Sequence, residues 1–356
     1  MKVKKTFFKD FPNIDDQSVD TLNFFAKFND MDVNIIDSDE EIGIDEEPLV
    51  SILMTTYNRQ KYVEECIQTI LSQTYKNIEF IIVDDRSTDD TETVVQNILE
   101  KNNIPFKFIK TAGKRGPGLN KRLGWQYVHG EYVIFLDDDD YYVSSQFIAK
   151  SVKSLITNPN LSVVAFNSYI QEMHTHKLIL TKSVSPVNTI IDSKSALESF
   201  MSTLAKPNST FPAVFNVKKL TEACIMDMQI LNDTQIWLRG FFAGDVLLLS
   251  DYVGVYRVHD GSIGYNLDTN LILDNLDEKM RLFRTKGFPV TRIEWIVFQI
   301  SITLNYYFSS SEKVEYRPIF SWIIKKFSTI IAIKLIVNCL KIRIRYTLKK
   351  VIKIIA

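Results

Sequence analysis

The sequence is short of several things, and each shortage closes off a class of protein. Only three cysteines occur in 356 residues, Cys66, Cys224 and Cys339, far apart along the chain. With no CxxC pair and no Cys/His cluster, neither a structural zinc site nor a disulfide framework is expected, and a reducing cytoplasmic setting fits. No uncharged run approaches the ~20 residues needed to span a bilayer. The opening residues, MKVKKTFFKDFPNIDD, start basic but meet acids before any apolar core forms, so a secretory signal is not expected. Net charge is nearly absent too: at −1 it gives no argument for nucleic-acid binding.

What remains is globular in character, with 46% hydrophobic and 24% charged residues, enough for one large domain or two ordinary ones. The charge is distributed unevenly. Residues 1–47 hold 13 Asp and Glu against five Lys, whereas residues 318–356 hold nine Lys and Arg and no acid. This divides the chain into three segments: an acidic extension over 1–47, in which SDEEIGIDEEP reads as a solvated linker; a catalytic domain over 48–265; and a mainly helical region over 266–356 that ends in a basic amphipathic tail.

The middle segment is α/β. LVSILMTT, IEFIIVDD, FKFIK and EYVIFLD read as strands, alternating with helical patterns at KYVEECIQTILSQT, at residues 89–101 and at LNKRLGWQYVH. Such alternation implies βαβ units and a Rossmann-like, mostly parallel central sheet flanked by helices. Strands as apolar as FIIV and YVIFL suit a sheet covered on both faces. Beyond residue 160, LSVVAFNSYI and HKLILTK read as β segments, IWLRGFFAG as a helix end, and DVLLLSDYVGVYRVH as two short strands. Trp125 and Trp237 sit among apolar residues and are expected in the core.

Polar clusters fall where such a sheet binds ligands, beyond the carboxyl ends of its strands. TTYNR, DDRSTDD and DDDD each come directly after an apolar strand. The last, in YVIFLDDDDYY, sets four acids in a row, and two charges about 4 Å apart repel by up to about 4 kcal/mol at an effective dielectric near 20. A cation would relieve that repulsion. Hard carboxylate oxygens select Mg²⁺ or Mn²⁺, and Mg²⁺ is usually held by one or two carboxylates plus substrate phosphates. Asp137 and Asp139 share one side and are the candidate ligands, while Asp138 and Asp140 read alternatively as turn or helix-cap residues. Asp84 and Asp85 form a second acidic signal: one of these two carboxylates is placed to accept a hydrogen bond from a nucleobase imide, with Tyr57 stacking on the base. Asp89 and Asp90 read as helix caps.

VSILMTTYNR, IIVDDRSTDD, GPGLNKRLGWQYVHGEYVIFLDDDD, LNDTQIWLR and YRVHDGS, in this order, resemble the family 2 inverting glycosyltransferases of GT-A fold, over about residues 48–262. The resemblance implies that Thr56, Tyr57 and Asp85 hold uridine, with Arg59 and Asp138 among the donor-binding positions. Asp137 matches the first Asp of the family's DxD, near the ribose and metal, and Asp139 the second, which binds the metal. Asp233 falls at the catalytic base. Arg257 and His259 match a region that closes over metal and diphosphate, His259 as a metal ligand. Lys121 and Arg122 stand where the family commonly has ARN, and both are cations suited to a pyrophosphate. Two departures matter less or more: TTYN replaces PTYN, and Asn232 replaces the Glu that usually precedes the base.

The activity so implied is metal-dependent and inverting. It moves a hexosyl or N-acetylhexosaminyl group from a nucleotide-diphosphate sugar, favouring UDP, to a hydroxyl of a glycan or lipid-linked acceptor, in the making of a cell-surface polysaccharide such as cell wall or capsule. Asp233 takes the acceptor proton. No QxxRW signature is present, so one sugar per encounter is expected. Rival readings are a nucleotide-sugar-binding protein that has lost catalysis, given Asn232; a sugar nucleotidyltransferase, opposed by the lack of glycine in TTYNRQKYVEE; and a receiver-like signalling domain, opposed by the strand order and the length. AKPNSTFPAVFN, with Asn208 and Ser209, reads as an acceptor wall or an ordinary surface loop. The tail either lies on an anionic membrane, at the inner face of the cell membrane, or packs on the catalytic domain or a partner. The acidic head is set to meet a basic tail, its own or another subunit's in a homo-oligomer.

Overall fold

The structure is a computed structural model and describes residues 14–19, 47–175, 177–181, 188–207, 209–258, 269–311 and 313–355, the first and the last six of these as backbone only. SDEEIGIDEEP, Asn208 and His259 lie wholly or mainly outside the described residues. The chain divides into two compact units, Met1–Val258 and His259–Ala356.

The first unit is built on one sheet. Its strands are β1 (Ile14–Val19), β2 (Val50–Thr56), β3 (Ile78–Asp84), β4 (Phe106–Lys110), β5 (Tyr132–Asp137), β6 (Tyr141–Tyr142), β7 (Leu161–Glu172), β8 (Lys177–Thr181), β9 (Thr189–Ile191), β10 (Ala213–Asn216) and β11 (Asp245–Val258). The helices are α1 (Val63–Leu71), α2 (Thr91–Lys101), α3 (Pro117–Trp125), α4 (Phe147–Thr157), α5 (Ser193–Ser199), α6 (Val217–Glu222) and α7 (Asp233–Ala243). Strand order is β1-β8-β7-β10-β5-β2-β3-β4, with β11 pairing β6, β7 and β9.

The expected parallel sheet forms where the sequence alternates strand and helix: β5, β2, β3 and β4 are mutually parallel. Every residue of β2 is buried, Ser51, Thr55 and Thr56 included, as in a strand covered on both faces. The other half departs from that pattern. Short β10 inserts antiparallel between β5 and β7, and β8 is antiparallel to β7, so the sheet as a whole is mixed. DVLLLSDYVGVYRV forms one 14-residue strand rather than two, with pairing irregularities between Leu248 and Tyr252. Side chains satisfy the backbone there: Asn188 Oδ1 accepts from Ser250 N at 3.1 Å and Asn167 Nδ2 donates to Ser250 O at 2.8 Å.

α3 ends at Trp125, shorter than the pattern suggests, because Gln126 and Tyr127 close i→i−3 bonds to Leu123 and Gly124. It lies hard against the sheet. A Cβ on Gly124 would stand 2.3 Å from Leu53 Cδ1 and 3.0 Å from Val83 Cγ2, so only glycine allows this approach. Trp125 and Trp237 are buried as expected.

The second unit contains four described helices: α8 (Thr269–Arg284), α9 (Ile293–Ser310), α10 (Tyr316–Lys326) and α11 (Thr329–Ile355). Lys279, fully buried, joins α8 to α9 by donating to Gln299 O at 2.9 Å and Thr303 Oγ1 at 2.8 Å. Asp277 receives Trp322 Nε1 at 3.0 Å and Lys326 Nζ at 2.7 Å, which fixes α10 on α8. No described helix is long and apolar enough to cross a membrane.

Candidate active site

Register explains why the polar clusters meet. In the parallel strands Thr56 lies opposite Asp84, Thr55 opposite Asp137, and Asp84 opposite Lys110. The ends of β2, β3 and β5 are therefore level, and the loops leaving them gather at one edge of the sheet.

Two loops are stitched together there. Asn58 N donates to Ser87 Oγ at 2.8 Å, Arg59 N to Thr91 Oγ1 at 2.9 Å, and Thr88 N to Asn58 Oδ1 at 2.8 Å. Of the two acids expected to cap α2, Asp90 is the N-cap but makes no side-chain cap bond, while Asp89, one residue earlier, accepts from Thr91 N at 3.1 Å. Buried Asp84 accepts from Ser87 N at 2.8 Å and so shapes the turn after β3. Asp85 reaches the third loop, where its two oxygens accept from Arg115 N at 2.7 Å and Gly116 N at 2.8 Å. Gly116 has φ +84, which glycine adopts without strain, as it leads into α3. Oδ1 also lies 3.4 Å from Thr111 Oγ1, whereas Oδ2 keeps a further lone pair for a ligand N–H. The Tyr57 ring lies nearby with Lys114 Nζ 4.1 Å from its centroid.

The four acids after β5 have four different surroundings. Asp137 pairs with Lys121 Nζ at 3.0 Å. Asp138, nearly buried, faces Arg59 Nε at 3.4 Å and accepts from Tyr57 N at 3.3 Å. Asp139 faces Arg59 Nη2 at 3.7 Å. Asp140 is fully buried; one oxygen accepts from Arg257 N at 3.1 Å, and Oδ2 has no hydrogen-bond partner. Burial pushes the carboxyls of Asp137, Asp138 and Asp140 above the usual range, and the neighbouring acids add to the effect while Lys121 and Arg59 oppose it at Asp137 and Asp138.

Lys121 is the centre of the arrangement. Its Nζ lies 3.0 Å from Asp137 and 3.3 Å from Asp233, with only 4% of the side chain exposed. Burial alone would lower its pKa, but the two carboxylates outweigh that and raise it, so the ammonium stays charged. Asp233 opens α7, where the helix dipole favours a negative charge. Asn232, the residue that departs from the family pair, is the N-cap: its Oδ1 accepts from Gln235 N at 3.3 Å. Replacing Lys121 with Met leaves Asp137 and Asp233 facing each other unneutralised. Since both carboxylates are 29% exposed, the expected loss is about 2–3 kcal/mol, less than the ~3–5 of a fully buried pair. Thermal melts would read it; an unchanged melting temperature would contradict the bridge.

Other expected residues are placed differently. Arg122 donates to the carbonyls of Met228 at 2.8 Å and Met226 at 3.2 Å, so it holds the loop before α7 rather than joining the acidic cluster. Arg257 is nearly buried. It donates to Asp139 O at 2.8 Å, pairs with Glu65, and lies against the rings of Tyr141 and Tyr62. It thus braces the acidic turn from beneath. Ser209 is fully buried, and Thr210 Oγ1 donates to Phe135 O at 3.2 Å, so this stretch is neither a polar wall nor a surface loop from residue 209 onward.

Two residues escaped the sequence reading. Glu65 sits in an amphipathic helix whose acids read as solvated, and nothing local marks it as the partner of Arg257. Lys206 has its amine pushed down by burial, with Asp233 opposing. A lysine between alanine and proline carries no motif.

The parallel half of the sheet thus collects at its strand ends an acidic turn, a bridging lysine and a helix-opening carboxylate. Residues 51–209 match the family model described as Glycosyl transferase family 2. Among curated relatives, the chain is 28% identical over 260 residues to the GalNAc(5)-diNAcBac-PP-undecaprenol beta-1,3-glucosyltransferase of Campylobacter jejuni, covering 68% of this chain and 79% of that one. It is 29% identical over 241 residues to the UDP-Glc:alpha-D-GlcNAc-diphosphoundecaprenol beta-1,3-glucosyltransferase WfaP of Escherichia coli, covering 63% and 83%. Among solved structures, S. aureus TarS 1-349 in complex with UDP-GlcNAc superposes with TM-score 0.61 at 16% identity, covering 84% of this chain and 92% of that one, a likeness of fold.

Proposed function

We propose that this enzyme transfers a hexosyl or N-acetylhexosaminyl group from a UDP-sugar, with inversion, to a hydroxyl of a lipid-linked glycan, one sugar per encounter. The observation that carries the reading is the Lys121 bridge, which holds the carboxylate at the end of β5 and the carboxylate opening α7 to a single ammonium. Donor-side and acceptor-side chemistry thereby share one point. WfaP's use of UDP-Glc supports the choice of a UDP donor, and the undecaprenol-diphosphate acceptors of both relatives support a lipid-linked acceptor.

The chain's own residues perform most of the mechanism. Asp233, paired with Lys121 at the start of α7, takes the proton of the acceptor hydroxyl as it attacks, a general-base role that typically contributes ~10²–10⁴-fold. Attack opposite the leaving diphosphate inverts the anomeric carbon. Asp85 and Tyr57 receive the uracil, and Thr56 lines the same strand edge. Arg59 is drawn between Asp138 and Asp139 and so lies where a diphosphate would meet it.

The acidic turn also fits a divalent cation. Among the described residues no group of three or more His, Cys, Asp and Glu already stands in ligating array. Even so, four consecutive carboxylates and Asp233 outnumber the Arg59 and Lys121 charges that face them, and Asp140 Oδ2 is buried without a partner. Asp139, with Asp137, would hold Mn²⁺ or Mg²⁺. When bound, the ion supplies positive charge for the departing diphosphate. His259 is proposed as a further ligand from the resemblance.

The test is UDP release from a panel of UDP-sugars, with Mn²⁺ and a polyprenyl-diphosphate-linked sugar as acceptor. Acceptor-dependent release above the rate of donor hydrolysis is expected. UDP binding without release from any donor would leave a nucleotide-sugar-binding protein instead.

A further inference from the structure

The last helix, α11, has two faces of opposite character. On one, Ala332, Leu335 and Cys339 are buried, Asn338 Nδ2 donates to Asn305 Oδ1 at 2.9 Å, and Arg343 Nη1 donates to Ser311 O at 2.7 Å. This face is fully engaged with α9 and the residue that ends it. On the other, Ile330, Ile333, Val337, Leu340, Ile344 and Leu348 are all 41–69% exposed.

Their spacing of three or four residues sets them in one stripe. At ~1.5 Å rise per residue the stripe runs about 27 Å. Scattered exposed aliphatics are ordinary, but six large ones in a continuous row mark a docking surface. Along one edge of the row run Lys334, Lys341, Arg345 and Lys349, all exposed. No Asp or Glu occurs anywhere from Pro318 to Ala356.

We infer that α11 lies flat on an anionic lipid bilayer, its apolar stripe sunk among the acyl chains near the headgroups and its row of cations at the level of the lipid phosphates. The charge pattern selects this occupant. A purely apolar stripe would fit any apolar partner, whereas an acid-free helix with cations lining the stripe fits a surface that is apolar within and anionic at its edge. Snorkelling Lys and Arg side chains bridge those two layers. The inference stands apart from the sugar-transfer reading, since vesicle binding is measured without turnover.

The experiment is flotation of the full-length protein with vesicles of phosphatidylcholine alone and of phosphatidylcholine with about one-third phosphatidylglycerol. Two variants accompany it, Ile333→Ser/Ile344→Ser and Lys334→Gln/Lys341→Gln/Arg345→Gln. The protein should float with the anionic vesicles and not with the neutral ones, and each variant should lose binding by about tenfold or more. Both variants should melt at the wild-type temperature, because every replaced side chain is exposed. Flotation lost in the charge variant but kept in the stripe variant would overturn the seated helix in favour of simple attraction. Absence of flotation, with the stripe variant instead dissolving an oligomer or lowering the melting temperature, would assign the stripe to a second copy or to the chain's own acidic segment.

Discussion

Asp233→Asn is expected to lower kcat by about 10²–10⁴-fold while leaving UDP affinity within about twofold of wild type. The substitution keeps the shape of the side chain and leaves one oxygen to accept from Lys121, whose Nζ stands 3.3 Å from Asp233 Oδ1. What disappears is the basic carboxylate. The change also removes a charge from the first turn of α7, but that effect is worth only ~0.3–1 kcal/mol and falls on stability. Rate and binding therefore separate, and steady-state kinetics beside calorimetric titration with UDP would show it. Wild-type turnover in the variant would remove Asp233 from the mechanism. Lost UDP affinity would mean that the residue belongs to the donor pocket.

Asp139→Ala should cost about two orders of magnitude in kcat/KM and should make the remaining activity indifferent to EDTA. The Asp139 carboxylate faces Arg59 Nη2. Arg59 is 3.7 Å away and remains paired to Asp138, so the turn should keep its shape without it. A fold defect is not expected, and circular dichroism should match wild type. By contrast, removing Asp140 would take away the acceptor of Arg257 N from a fully buried position and would act mainly on stability. If Asp139→Ala keeps its donor affinity with and without EDTA, no functional cation sits on that carboxylate.

Much of this was legible in the sequence, for identifiable reasons. β2, β3 and β5 are dominated by apolar residues because both sheet faces are covered, so their extent and their polar ends stood out. The bond from Thr91 N to Asp89 is local, decided within two residues, whereas Asn232, read only as a departure from the family pair, proved to be the N-cap of α7. What could not be read was contact between distant segments. Lys121 and Asp233 are 112 residues apart and meet only because α3 and α7 converge on one sheet edge. Likewise Glu65 and Arg257, 192 residues apart, form a pair that no spacing announces. Lys121 and Arg122, read together as phosphate-binding cations, part company in the fold: one faces the acids, the other the carbonyls before α7. Short β10 was also missed, since four residues of AVFN carry too little periodicity to distinguish a strand, yet it turns the sheet from parallel to mixed.

The claim on which the mechanism rests is that the surplus negative charge of residues 137–140 is shared with a divalent cation and the donor's diphosphate. Crystals grown with UDP and Mn²⁺, measured at the manganese absorption edge, test it most directly. The account predicts one anomalous peak bounded by the Asp139 carboxylate and the UDP phosphates. UDP bound with no peak there, and Asp139 turned to solvent, would contradict it.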